Sequence, residues 1–152
     1  MMAAPASGPY LMPTQQSGRE FIMRGMQGAV IMLNLLRFRE TADYSAAPEL
    51  APDCPIRGAE AFDRYIRHTL PFLHQSGGDL MFLGSGGAFL IGPEHERWDL
   101  VMLVRQSSAE AFLAFAENQE CMAGLGHRTA AVEDSRLLPL SQISFPDGNR
   151  SA

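Results

Sequence analysis

The chain has 152 residues, of which 46% are hydrophobic and 19% are charged, and this composition is typical of one soluble globular domain with a sizeable core. Its 12 basic and 17 acidic residues leave a formal net charge of −5, and the basic residues are scattered along the chain. Nucleic-acid binding is therefore disfavoured, because attraction to phosphates needs concentrated positive charge.

The cellular location is predicted from the chain start and the cysteines. Residues 1–9 lack both a basic region and a continuous apolar core, which disfavours a signal peptide. No apolar stretch reaches the roughly 20 residues that a membrane helix needs. Cys54 and Cys121 form no metal-binding or disulfide motif, and two free thiols fit a reducing compartment. We predict a cytoplasmic protein with no membrane partner.

Hydrophobic spacing and turn residues predict the elements of one domain, residues 14–145, between a flexible N-terminal segment at 1–13 and a flexible tail at 146–152. In chain order they are a helix at about 14–26, a strand at about 28–37, a surface loop at 38–57, a helix from about 59 to 76, strand sequence at 79–92, a strand at 98–105, a helix with a capping box at 107–110, a helical piece after 118 and a strand at about 135–145. The glycine-rich residues 84–87 allow either one bulged strand or a tight hairpin at 79–92.

The core order β-α-β-β-α-β predicts an α+β fold, a ferredoxin-like sandwich with an antiparallel sheet. Residues 30–36, apart from Asn34, and residues 100–104 of the strand at 98–105 are apolar at both alternating sets of positions. An antiparallel sheet with one wet face alternates apolar and polar residues, so both faces here require cover. One chain has helices for only one face. We therefore predict a homodimer that buries the other.

Several short segments resemble a known family when they are taken together. They are MLNLLRFR at 32–39, GG at 77–78, IGP at 91–93, WDLV at 98–101, RQSS at 105–108 and HRTAAVEDSRL at 127–137. Over about residues 28–140 they resemble domain-of-unknown-function family 1330 of the dimeric α+β barrel superfamily. The resemblance implies a ferredoxin-like fold whose sheets pack face to face in a dimer. It implies no reaction, since superfamily relatives include cofactor-free monooxygenases, isomerases, haem-handling proteins and ligand-binding modules.

Asn34 is the first candidate for a functional site. It is the single amide in an apolar run from Ala29 to Leu36. Burying an amide without partners costs about 1–3 kcal/mol, so its side chain must bond to the protein or to a ligand. It either orients a substrate carbonyl or is a structural amide, and the sequence leaves both open.

His127 and Arg128 are the other predicted catalytic residues. Histidine is the natural proton shuttle at neutral pH, and an adjacent guanidinium could hold a carboxylate. Alternatively, two cationic side chains here stabilise the end of a helix.

Five further residues are predicted to contact a ligand: Arg37, Tyr65, His68, Trp98 and Asp134. Structural explanations are also open, such as a core aromatic for Tyr65 and an ion pair with Arg136 for Asp134. We predict no metal site, because the four histidines include no pair four residues apart. We predict no cofactor, and residues 84–87 precede strand sequence where a nucleotide loop requires a helix.

The leading functional hypothesis is a cofactor-independent enzyme of the monooxygenase or isomerase type. Its substrate would be a small, partly apolar organic molecule, aromatic or carrying a carboxylate. The alternative is a non-catalytic dimeric module that binds a metabolite or a partner. Whether the protein is an enzyme stays open at this point.

Overall fold

The computed structural model describes residues 9–146, and the predicted flexibility of residues 1–8 and 147–152 lies outside this range. The helices are α1 (Gln15–Met23), α2 (Gly58–Gln75), α3 (Ala109–Glu117), α4 (Gln119–Met122) and α5 (Leu125–Ala131), with a 3₁₀ turn at Pro48–Leu50. The strands are β1 (Val30–Phe38), β2 (Asp79–Ala88), β3 (Arg97–Gln106) and β4 (Val132–Leu140). None of the helices in the described range is long and apolar enough to cross a membrane.

The four strands form one antiparallel sheet in the order β2-β3-β1-β4. β1 pairs with β3 on one side and with β4 on the other, and β2 pairs with the outer edge of β3. α2 connects β1 to β2, and α3 to α5 connect β3 to β4. This is the split βαβ arrangement of a ferredoxin-like sandwich. The predicted α+β fold class is confirmed.

The hydrophobic core lies on one face of the sheet, which we call the helix face. Leu36 of β1 and Met102 of β3 belong to a buried cluster with Phe62 of α2 and Ala130 of α5. Phe62 is 1% exposed. Burial of one such large apolar side chain contributes about 1.5–3 kcal/mol, so this cluster positions both helices, α2 and α5, against the sheet.

The opposite face of the sheet, which we call the open face, is also apolar. In register, Leu138, Leu33, Leu103 and Phe82 form one row across all four strands. Phe82 and Leu138, at the two edges, are 53% and 52% exposed. The sheet residues of the core cluster alternate with this row and project from the helix face. The two-sided apolar pattern predicted from the sequence is therefore present.

Residues 79–88 form one bulged strand and not a tight hairpin. β2 pairs with β3 along its length, with a register shift between Leu80 and Phe82. A Cβ on Gly86 would lie 2.5 Å from the carbonyl oxygen of Trp98. Close approach of two backbones therefore requires glycine at this position.

The predicted capping box at residues 107–110 is wrong. α3 begins one residue later than that box requires, and its N-cap is Ser108, whose hydroxyl accepts a hydrogen bond from Ala111 N. Ser107 Oγ instead donates to Ser76 O at 3.2 Å. The Ser107 hydroxyl therefore bonds to the end of α2 and does not cap α3.

Two element ends also differ from the predictions. β4 spans Val132–Leu140 and not 135–145, because its pairing with β1 begins at Phe38 opposite Val132, directly after α5. α1 ends at Met23 and not at 26, because Gly25 adopts a φ of 58°, which ends the helix.

The predicted surface loop at 38–57 has a buried side. Thr41 forms an isolated antiparallel bridge with Arg57. Tyr44 is 9% exposed, Ala47 is 7% exposed, and Tyr44 belongs to the core cluster. The loop therefore closes one end of the helical layer.

Gly58 begins α2 where three backbone segments meet. A Cβ at this position would overlap the carbonyl oxygen of Arg39 and would lie 2.9 Å from that of Ala131. We expect Gly58→Ala to lower the free energy of unfolding by about 3 kcal/mol, because neither oxygen belongs to a flexible side chain. Denaturant titration measures this change.

The matched control is Gly18→Ala in α1, where an added Cβ meets nothing within 4 Å. This substitution should raise the free energy of unfolding by about 0.5–1 kcal/mol, because alanine is the better helix former. Small effects of equal size at Gly58 and Gly18 would contradict the close approach of these segments.

Candidate functional site

The eight predicted site residues fall into three groups. The first group, Asn34, Tyr65 and Arg128, lies between the helix face of the sheet and the helices. The second group, Arg37, Trp98 and Asp134, meets around Arg136. The third group, His68 and His127, lies where α2 and α5 meet α4 and the 38–57 loop. Within residues 9–146, no group of three or more His, Cys, Asp or Glu side chains could hold a metal ion.

Arg128 joins α5 to β4 and to the N-terminal segment. Its guanidinium donates to Leu11 O at 3.0 Å and to Ser135 Oγ at 3.3 Å. None of the ion pairs within residues 9–146 involves Arg128. Burial lowers the pKa of Arg128, and the nearby Tyr65 raises it. A partly buried cation held by neutral groups is costly unless an anion neutralises it.

Tyr65 and Thr69 lie one turn apart on α2 and so share one side of the helix. Burial raises the pKa of Tyr65, and the charge of Arg128 lowers it. Thr69 is 8% exposed, and its Oγ1 makes no hydrogen bond of full geometry within the described residues. It lies beside the Tyr65 hydroxyl and the Cys121 thiol; burial raises the pKa of both groups, and weak hydrogen bonding with Thr69 lowers it. A buried hydroxyl whose hydrogen bonds are incomplete can still bond to a ligand, which makes Thr69 a candidate ligand contact.

Asn34 lies on the helix face, opposite Met102 of β3 and Leu137 of β4. Its side chain is half-buried, and its Nδ2 donates to Met32 O at 3.2 Å. This is its one side-chain hydrogen bond within the described residues. The protein therefore leaves most of the bonding capacity of this amide unused.

The ladder between β1 and β4 places Asn34 beside the contacts of Arg128. Ser135 stands opposite Leu36, two residues along β1 from Asn34. Diagonal neighbours of this kind are separated by about 7–8 Å. We call five of these residues the polar cluster: Asn34, Tyr65, Thr69, Arg128 and Ser135.

Residues 9–14, which we call the strap, cover part of the polar cluster. Tyr10 O accepts hydrogen bonds from Ser135 N at 3.1 Å and from Ser135 Oγ at 2.6 Å, and Leu11 O accepts from Arg128. Two surface depressions lie elsewhere: one of about 450 Å³ on α1 and one of about 350 Å³ between the start of α2 and the end of β1. The polar cluster thus lies beneath the strap and outside both depressions.

The group on the open face is centred on Arg136. Its guanidinium lies between the rings of Tyr10, at 4.7 Å, and Trp98, at 4.9 Å, and donates to Asp134 Oδ1 at 2.9 Å. Arg37 pairs with Asp134 at 3.6 Å. Burial raises the pKa of Asp134, but the hydrogen bonds from Tyr10 N and Arg136 hold it below its usual range. The ion pair suggested by the sequence is present, and protein groups satisfy it.

The two histidines bond away from the polar cluster. His127 Nδ1 lies 2.7 Å from Tyr44 Oη. Burial lowers the pKa of His127, and the charges of Arg64 and His68 lower it further, so the neutral imidazole is favoured at pH 7. His68 Nε2 lies 2.9 Å from Glu120 O. The structure therefore does not bring His127 into the polar cluster.

Sequence reasoning missed Thr69, Ser135 and the strap. The spacing of Thr69 from Tyr65 was a usable signal, because residues four apart share a helix face. The contacts of the strap with Ser135 and Arg128 span 125 and 117 positions. No local pattern encodes a contact at that distance.

No protein-family model and no curated protein matches the chain. Two solved structures are similar over almost its whole length. The crystal structure of methylated RPA0582 protein shares 32% identity, covers 89% of this chain and 96% of its own, and has a TM-score of 0.78. The structure of RPA0582, a protein of unknown function from Rhodopseudomonas palustris, shares 32% identity and has a TM-score of 0.79. The match covers 90% of this chain and 99% of the RPA0582 chain.

The chain belongs to the family of RPA0582. RPA0582 has no known function, so membership of the RPA0582 family supplies a fold and no reaction. A dimeric protein of unknown function and ferredoxin-like fold from Bacteroides fragilis shares 13% identity, covers 77% of this chain and 99% of its own, and has a TM-score of 0.47. The resemblance to domain-of-unknown-function family 1330 stays a prediction, since no family model matches.

Asn34→Leu tests whether the amide is structural. We expect the free energy of unfolding to stay unchanged or to rise by about 1 kcal/mol, because contacts with Met102 and Leu137 replace one short-range hydrogen bond. Denaturant titration at several protein concentrations measures it. A loss of about 2 kcal/mol or more would mean that the fold requires the amide. In the control, Leu36→Asn on the same face, a loss of about 3 kcal/mol is expected.

Proposed function

We propose that the protein binds a small, partly apolar organic molecule at the polar cluster, as a homodimer and without a cofactor. The observation that carries this proposal is the environment of Arg128, a partly buried guanidinium that makes no ion pair within residues 9–146. Structural cations in cores are paired as a rule, so a charge without a partner favours a ligand-binding role.

The surroundings of the polar cluster suit such a ligand. Small-molecule sites combine mostly apolar lining with a few placed polar groups. Here Phe62 packs against Tyr65 with ring centroids 5.3 Å apart, and Met102 and Leu137 flank Asn34. The polar cluster thus supplies an amide, hydroxyls and a cation within an apolar frame.

A second candidate function is cofactor-independent catalysis of the monooxygenase or isomerase type. Such chemistry needs a group that transfers a proton at the substrate. Tyr65 is the titratable hydroxyl of the polar cluster; burial raises its pKa, while Arg128 favours its phenolate. Under this hypothesis Tyr65 moves the proton, and His127, which bonds to Tyr44, does not.

The homodimer is supported by the open face. The row Leu138, Leu33, Leu103 and Phe82 presents apolar side chains across the whole sheet, and its two ends are half-exposed. Contiguous apolar surface of this kind marks an interaction site. Packing against the open face of a second copy would bury the row on both chains.

Titration of the full chain with benzamide, a neutral and partly apolar probe, tests binding at the polar cluster. We expect the largest amide chemical-shift changes at Asn34, Thr69 and Ser135. Thr69→Val, which replaces only the hydroxyl by a methyl group, should weaken binding several-fold, about 1 kcal/mol. Thr41→Val, on the exposed bridge of the 38–57 loop, is the control and should bind as the wild type does. Shifts confined to α1 or absent altogether would overturn the proposal.

Analytical ultracentrifugation tests the homodimer. Leu103→Glu places a charge in the middle of the apolar row and should shift the protein towards monomer, because an unpaired charge cannot be buried there without a large cost. Leu90→Glu is the control, since Leu90 is 99% exposed in the β2–β3 loop and should leave the mass unchanged. A specific dimer should have a dissociation constant below roughly 100 µM. A wild-type protein that is still monomeric at about that concentration would therefore contradict the dimer.

A further inference from the structure

Arg128 presents both terminal nitrogens of its guanidinium to separate oxygen atoms. Nη1 donates to Leu11 O at 3.0 Å, and Nη2 donates to Ser135 Oγ at 3.3 Å. One acceptor on each terminal nitrogen is the pattern that a bidentate carboxylate makes with arginine. Here the two oxygens come from distant segments of the chain and carry no charge. Both terminal nitrogens therefore have an acceptor, but the positive charge of Arg128 is not neutralised.

The nearby carboxylate is engaged elsewhere. Asp134 precedes Ser135 in the chain, but its oxygens bond to Arg136 at 2.9 Å, to Arg37 at 3.6 Å and to Tyr10 N at 2.8 Å. Two arginines on the open face therefore hold the one buried carboxylate of the described residues. Arg128, on the helix face, bonds instead to the neutral oxygens of Leu11 and Ser135.

The strap is the part of this arrangement that can yield. Residues 9–14 belong to no helix and no strand of the sheet, and Leu11, which packs against the core cluster, is only partly buried. A hydrogen bond from a cation to a carboxylate is roughly twice as strong as one to a neutral acceptor. A carboxylate that reached Arg128 would therefore displace Leu11 O.

We infer that the ligand of the polar cluster carries a carboxylate, that Arg128 binds it through both terminal nitrogens, and that the carbonyl of Leu11 occupies the position of one carboxylate oxygen. This inference rests on the proposed function, since it names the ligand class of the same site. The strap then acts as an internal competitor. Binding requires it to release Arg128, and Ser135 Oγ is freed with it.

The uncharged part of the ligand is defined by the remaining members of the polar cluster. Asn34 keeps an amide with unused bonding capacity, and Thr69 Oγ1 is buried beside Tyr65 and Cys121 without a hydrogen bond of full geometry. Tyr65, packed on the buried ring of Phe62, supplies aromatic surface. A short aromatic or branched carboxylic acid with one further oxygen matches these groups. Its carboxylate binds Arg128, and its other oxygen bonds to Asn34 or Thr69.

The decisive experiment compares benzoate with benzamide on the full-length wild-type chain, because the two probes share a shape and differ in charge. We expect benzoate to bind at least about tenfold tighter at pH 7, by calorimetry, with chemical-shift changes at the Arg128 side chain and at the amides of Tyr10 and Leu11. Equal affinities, or benzoate shifts that spare Arg128, would overturn the inference. This comparison needs no substitution, so it does not depend on a variant that folds.

Two variants separate a ligand contact from a structural role. Arg128→Gln should remove the preference for benzoate over benzamide, and Arg128→Lys should restore it in part, because lysine keeps the charge and loses the fork. The double variant Tyr10→Gly/Leu11→Gly loosens the strap in the full chain. It should tighten benzoate binding several-fold and leave benzamide binding unchanged, whereas weaker benzoate binding would contradict competition by the strap.

Failure of this inference differs from failure of the proposed function. If benzamide and benzoate bind equally well at Asn34 and Thr69, the ligand does not require a carboxylate, but the proposal of small-molecule binding stands. The absence of shifts at the polar cluster with either probe would refute both.

Discussion

The structure depends on one strand that is apolar on both sides. β1 lies between β3 and β4, so every element of the fold is organised around it. Leu36 on its helix face belongs to the core cluster, and Leu33 on its open face lies in the apolar row. The hydrophobic effect acts on both faces, because burial of apolar area on either face is favourable in proportion to that area. One chain covers the first face with α2 and α5 and leaves the apolar row of the second face partly exposed.

This two-sided strand also explains why the charged groups are divided. On the open face, Arg136 is stacked between Tyr10 and Trp98 and bonded to Asp134, so its charge is balanced. On the helix face, Arg128 bonds to neutral oxygens. The strap passes between the two arrangements, because Tyr10 contacts the first and Leu11 contacts the second. Movement of the strap would thus affect both faces of the sheet.

Membership of the RPA0582 family defines an architecture and leaves the chemistry to the individual site. The site proposed here differs from the catalytic trio suggested by residue type alone. Asn34 and Arg128 lie on the same side of the sheet, but His127 is bonded to Tyr44 under the 38–57 loop. Adjacent residues on a helix point about 100° apart, and this angle separates His127 from Arg128. The proposed site therefore contains Tyr65 and Thr69 of α2 and not the histidine.

The sequence by itself determined the element order, the apolar pattern of β1 and β3, and thereby the fold class, because short-range periodicity encodes which face of each element is buried. It also identified Asn34, which breaks that pattern. Element ends were less well determined: the hydroxyl of Ser107 bonds to the end of α2, a contact that local capping rules do not contain. Only the tertiary structure decided which polar groups meet. Arg128 reaches Leu11 across 117 positions and Arg136 stacks on Tyr10 across the sheet edge, and such partners follow from the packing of whole elements.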